Sequence, residues 1–217
     1  MLADALGLKA EQEAPRPIAG STGRLAPVVA IKGAKLTNHD VRNIDQRVAL
    51  IVGLVQRGAS DPDIIAKARE IVSRKCKQGR NGKEDWCIQA RDWRAEIVAV
   101  HNEVKDKLVR YTRDPDGVDF FAGAKRVMAM GGADCDEMVA LLGALLRAIG
   151  FPVELVVVET TNAPIKGEFE HIFLVTAYED ADGQQHGMWL DPTVREKPAG
   201  WRVPESMCVR EKSYAVP

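Results

Sequence analysis

The sequence predicts an α+β fold: a helical first half, a central buried helix beginning at Cys135, and an antiparallel sheet after it. Three observations carry this. Between Thr37 and Arg110 apolar residues recur at helical spacing. From Cys135 to Ile149 the chain is apolar almost all round, as in a helix enclosed by protein. Beyond Pro152 it changes to β-branched and aromatic runs: VELVVVE (Val153 to Glu159), FEHIFLVTAY (Phe169 to Tyr178) and HGMWL (His186 to Leu190).

Taken in order, residues 1–36 carry Pro15, Pro17, Gly20, Gly23, Pro27 and Gly33 with no sustained period. They are expected to form an extended or disordered arm, with PVVAI (Pro27 to Ile31) available to dock on a partner. Residues 37–112 form a helical subdomain. TNHD opens a first helix through Val41, Ile44, Val48, Ile51, Val52 and Val55, closed by Gly58. Ser60 is expected to cap a second, with Pro62 in its first turn, running to about Lys75. A third is expected from Trp86 to about Arg110 through Trp93, Ile97, Val100, Val104 and Leu108, ended by RDPDG. Residues 113–205 make the core. In it Gly150 and Pro152 stop the buried helix, and EDADG turns one strand into the next. Residues 206–217 are read as a tail. No internal repeat is present.

The 217 residues are 46% hydrophobic and 28% charged, a composition typical of soluble globular proteins. A net charge of −1 offers no basic face for nucleic acid, and no apolar run is long enough for a membrane span. Met1 to Leu8 does not read as a signal peptide, so synthesis in the cytoplasm is expected. The four cysteines do not form a disulfide framework. Cys76 and Cys87 flank KQGRNGKEDW and could approach each other, but reduced structural thiols are expected. A zinc site is remote, because the spacing is unusual and no histidine lies nearby.

Cys135 stands between Asp134 and Asp136, after Gly131 and Gly132. At a helix start the free N–H groups and the dipole favour a thiolate and can receive an oxyanion. Asp134 suits an N-cap in any fold. Two carboxylates raise a thiol's pKa, however, so a nearby imidazole is needed. His39 and His101 fall at helical positions that look exposed, and His186 follows a turn. His171 differs, lying inside an apolar strand. A histidine there is more often a satisfied core residue, and Asp191 before Pro192 is ordinary strand-ending punctuation. Antiparallel pairing nevertheless brings Asp191 toward His171, as an orienting carboxylate requires.

GGADCDEMVALLGALLRAIGFPVELV, HIFLVTAY and WLDPT together resemble the signature segments of the transglutaminase-like superfamily, whose fold is related to that of papain-like cysteine peptidases. The resemblance implies Cys135 as nucleophile, His171 as general base and acid, and Asp191 as the residue orienting the imidazole. It implies no metal and no cofactor. VRYTRDPDGVDFFAGAKRVMAMGGADCDE and DPTVREKPAGW further resemble the transglutaminase-like proteins encoded in phages and prophages. Where the family commonly has a small residue before the histidine, this chain has Glu170, a candidate for contact with a substrate cation. Trp189 is a second candidate for substrate contact. Trp93 and Tyr111 are the aromatic residues upstream that could supply an oxyanion donor, though core packing is expected of both.

Two functions are consistent with these residues. The first is a thiol-dependent enzyme acting on protein or peptide amides, either a peptidase or amidase or a transglutaminase. The second is a non-catalytic component or assembly factor of a phage particle, binding structural proteins through the N-terminal arm. Association with the virion is compatible with either.

Overall fold

In the computed structural model, which describes residues 43–78, 83–114 and 120–217, helix α1 (Ile44–Ala59) begins where the Asn43 side chain accepts the Gln46 N–H at 3.0 Å. The expected TNHD start and the PVVAI patch lie outside the described residues. Val48, Ile51, Val55 and Gly58 form the inner face of α1. Helix α2 (Pro62–Val72) is capped by Asp61, which accepts the Asp63 N–H at 2.8 Å. Ser60, the expected cap, instead ends α1. Asp61 wins because Pro62 then takes the first helical position, where its missing N–H costs nothing.

Strands β1 (Lys75–Gln78) and β2 (Lys83–Trp86) form an antiparallel hairpin, with Cys76 opposite Asp85. That register brings Cys76 and Cys87 to a Cα separation of 5.1 Å, and the two are joined as a disulfide. The expectation of reduced thiols is thereby corrected: the hairpin, not their spacing along the chain, decides the pair. Trp86 belongs to this hairpin, so the third helix, α3 (Trp93–Glu103), starts later than expected. Asp92 caps it by accepting the Ala95 N–H at 2.9 Å. One π-helical turn, Val104–Leu108, follows. Trp93 and Tyr111, both expected in the core, are 39% and 54% exposed. His101 errs the other way. Expected to be exposed, it is fully buried.

Strand β3 (Arg110–Tyr111) runs parallel to β4 (Gly132–Ala133), with helix α4 (Ala124–Met130) between them. No helix was expected where α4 lies. It ends at Gly131, whose φ of +67° is a left-handed turn that glycine adopts without strain. Helix α5 (Cys135–Ala148) follows, and every residue from Asp136 to Leu146 is buried. It crosses α1 closely: a Cβ on Gly58 would lie 2.7 Å from Ala144 Cβ, and one on Gly143 would lie 3.2 Å from both Val55 methyls.

Strands β5 (Val153–Thr160), β6 (His171–Glu179), β7 (Gln185–Leu190) and β8 (Cys208–Val216) make one antiparallel sheet in the order β7-β6-β5-β8. Residues 206–217, expected as a tail, therefore supply its edge strand, pairing from Val153 with Val216 to Thr160 with Cys208. Polar residues at Arg210, Glu211, Lys212 and Ser213 hid the strand, because its outer edge faces solvent. Alternation along β5 and β6 divides the sheet between two clusters. Leu155, Val157, Ile172 and Leu174 join α5 and the other helices in the main core. Val156, Val158, Phe173, Val175 and Trp189 pack with Trp201 and Val203 on the opposite face. Trp189, expected to contact substrate, is thus a core side chain, its ring 5.5 Å from that of Phe173. No helix among the described residues is long and apolar enough to cross a membrane.

Two outcomes are expected. Thiol titration of the denatured, unreduced chain should find two free cysteines, Cys135 and Cys208; four would contradict the hairpin disulfide. Gly58→Ala should destabilise the chain by about 1–3 kcal/mol, read as a lower urea midpoint, because no rotamer relieves a clash between two Cβ atoms.

Candidate active site

Cys135 opens α5 as its first residue. Asp134 caps the helix by accepting the Asp136 and Glu137 N–H groups at 2.9 and 3.4 Å, while the Glu137 side chain accepts the Asp134 N–H at 3.2 Å. This reciprocal cap fixes the first turn rigidly. Among the described residues no group accepts the Cys135 N–H. An amide at the positive end of a buried helix is suited to hold a developing oxyanion.

His171 begins β6 and Asp191 follows β7, the hairpin partner of β6. Asp191 Oδ2 accepts from His171 Nε2 at 2.7 Å. Its Oδ1 accepts from the Thr193 N–H at 3.0 Å and the Thr193 hydroxyl at 2.6 Å. With a proton on Nε2, the imidazole keeps Nδ1 as an acceptor. Burial opposes charge on His171, but the Asp191 charge and hydrogen bond, helped by Glu170 and Asp136, raise its pKa above the ordinary value. Burial likewise opposes the Asp191 carboxylate, yet His171 and Thr193 hold its pKa below the usual range.

Cys135, Glu170 and His171 line one small cleft with Arg47, Asp136 and the apolar side chains of α1. The Cys135 thiol donates to Asp136 Oδ1 at 3.6 Å, and Asp136 Oδ2 accepts from Arg47 Nε at 2.8 Å. No hydrogen bond joins Cys135 to His171 in this arrangement. Burial, then Asp136 and Asp134, push the thiol's pKa well above its ordinary value, with Arg47 partly offsetting them. The other two acids are themselves inclined to hold protons. Burial and the Asp136 charge push Asp134 up to about 6. Burial and the Asp134 charge push Glu137 up to about 8. Of the two acids flanking the thiol, Asp136 opposes the thiolate more strongly, and it carries the Arg47 guanidinium as a partner.

The sheet also shapes the rim. Glu170 Oε1 accepts from the Thr160 N–H at 2.8 Å and its hydroxyl at 2.5 Å, while Oε2 is buried with no partner among the described residues. Arg210 on β8 donates to Glu159 at 2.6 Å and to the Gly167 carbonyl, and lies 4.4 Å from the Phe169 ring centroid. The strand mistaken for a tail thus ties down the connection leading into His171.

Of the residues the sequence pointed to, the structure brings Cys135, His171, Asp191 and Glu170 together and leaves Trp189 outside. Sequence reasoning missed Arg47 and Thr193. The DPT triplet carried a local signal for Thr193, since an aspartate side chain readily accepts from the residue two positions on. Arg47 had none, because its contact with Asp136 spans 89 positions.

No protein family and no curated protein matches the chain. Solved structures that are similar in part include the following two. A "putative cysteine protease" from Cytophaga hutchinsonii aligns over 86% of this chain and 50% of its own, at 12% identity and a TM-score of 0.45. A "putative protease" from Parabacteroides distasonis aligns over 68% of this chain and 30% of its own, at 11% identity and a TM-score of 0.42. The chain therefore spans half or less of the length of either.

Removing the opposing charge beside the thiol should ease its ionisation. In Asp136→Asn the pH midpoint for alkylation of Cys135, followed by mass spectrometry, should move downward; an unchanged or higher midpoint would contradict the electrostatic role given to Asp136.

Proposed function

We propose that the chain is a thiol-dependent acyl-transfer enzyme acting on protein or peptide amides. The observation that carries the reading is the His171–Asp191 hydrogen bond at 2.7 Å beside a cleft that Cys135 also lines. Asp191 sets the imidazole tautomer, so that Nδ1 is the nitrogen available to take the thiol proton. Reaction then requires Cys135 Sγ to turn from Asp136 toward His171.

As the proton passes to His171, sulfur attacks the amide carbonyl and the carbonyl oxygen becomes an oxyanion beside the Cys135 N–H. Collapse breaks the C–N bond, and His171 returns its proton to the leaving amine. The resulting thioester is attacked by water, giving an acid, or by a primary amine, giving a new amide. His171 accepts the attacking group's proton and the thiol is regenerated. Glu170 Oε2, buried with no partner among the described residues, suits an N–H donor or ammonium group of the substrate.

Limiting iodoacetamide near neutral pH should modify Cys135 ahead of Cys208, and His171→Ala should remove that preference. With a cleavable peptide amide, Cys135→Ala or His171→Ala should each lower kcat/KM on the order of 10⁴-fold or more. Equal labelling of both thiols, with turnover surviving in Cys135→Ala, would overturn the reading. Running the reaction with and without a lysine-like amine, and identifying products by mass, separates cross-linking from hydrolysis.

A further inference from the structure

Asp191 is anchored at its backbone as well as at its carboxylate. His101, fully buried on α3, places Nε2 3.1 Å from the Asp191 carbonyl oxygen. Lys105, in the π turn that extends α3, has a side chain only 9% exposed, and its ammonium donates to the Lys197 carbonyl at 2.9 Å. These donors stand four residues apart on one continuous helical segment. Both reach carbonyls of the connection that leaves β7 and carries Asp191. Burying an imidazole and an ammonium is costly unless each is hydrogen-bonded, and both donate here to main chain. π-helical turns inside helices are themselves frequent at functional sites.

We propose that His101 and Lys105 are positioning residues: two buried donors on one helical segment that fix the backbone of residues 191–197 and so aim the Asp191 carboxylate at His171. The proposal rests on the reading of Cys135, His171 and Asp191 as one acyl-transfer site. His101 acts as a donor through Nε2, and its other ring nitrogen lies 3.3 Å from the Asn102 side-chain oxygen. Asn102, Lys105 and Asp191 are the polar groups around it, and burial holds it neutral by lowering its pKa. If the Asp191 backbone shifts, the hydrogen bond to His171 lengthens and the raised pKa of His171 falls. Glu170 and Asp136, the other charges facing His171, do not depend on His101 for their contacts.

The test compares His101→Leu, which removes the donor, with His101→Gln, which keeps an N–H donor, in the full chain. NMR titration with labelled histidine, assigned through a His171→Asn spectrum, reads the His171 midpoint; near-ultraviolet circular dichroism and Tm report folding. The expected result is a downward shift of that midpoint in His101→Leu and a value near wild type in His101→Gln. Should His101→Leu fail to fold, Lys105→Met keeps the aliphatic stem, loses the second donor and is expected to shift the midpoint in the same direction. A folded donor-less variant with an unchanged His171 midpoint overturns the proposal, even if its Tm drops. Because the midpoint is read without substrate, a chain that shows the shift yet turns over no amide would sink the acyl-transfer reading and leave the positioning role standing.

Discussion

Because α5 is apolar on every side from Met138 to Leu146, it is stable only where protein encloses it, and this requirement arranges the rest of the molecule. α1 closes one side at glycine contact distance, α2 and α4 fill in around it, and β6 covers the face toward the sheet. A helix so enclosed has its N-terminus free of neighbours only where the layers part. That opening is the cleft, and Cys135 stands at its edge. The thiol's address thus follows from packing before any chemistry is considered.

The same enclosure creates the electrostatic problem of the site. Three acids in the first turn of a buried helix are expensive as three carboxylates. The chain meets this in two ways: Asp134 and Glu137 bind protons more tightly than usual, and Asp136 takes the Arg47 guanidinium. The free thiol consequently rests against an acid, with its pKa raised. In the proposed reaction a thiol held this way depends on the imidazole for activation, and in the positioning role proposed for His101 and Lys105 the imidazole depends on how well the connection after β7 is held.

Much of this was legible in the sequence, for reasons specific to each element. The period of α1, the continuous apolar run of α5 and the alternation of β5 and β6 are local patterns, and local patterns survive in one dimension. Cys135, His171 and Asp191 were readable because each marks the end of such an element. What escaped depended on distant partners. β8 carries a charged stretch because it lies at the sheet edge, so its β character appears only once β5 is placed beside it. Cys76 and Cys87 pair because two four-residue strands fold back on each other. His101 looks like a surface histidine on a helix until the segment carrying Asp191 passes over it. Trp189 was a candidate for substrate contact, yet alternation turns its ring to the opposite face of the sheet.

The order of the strands along the chain sets an order of completion during synthesis. A nascent polypeptide emerged as far as Leu190 already holds α5, β5, β6 and β7, but β8 is made later and pairs with β5, beside strands already in place. Until it arrives, Arg210 cannot tie the connection before His171, nor can Lys212 and Tyr214 reach Asp45 on α1. The ties that β8 supplies to the connection before His171 and to α1 are therefore added only after the strands that carry His171 and Asp191 have been made.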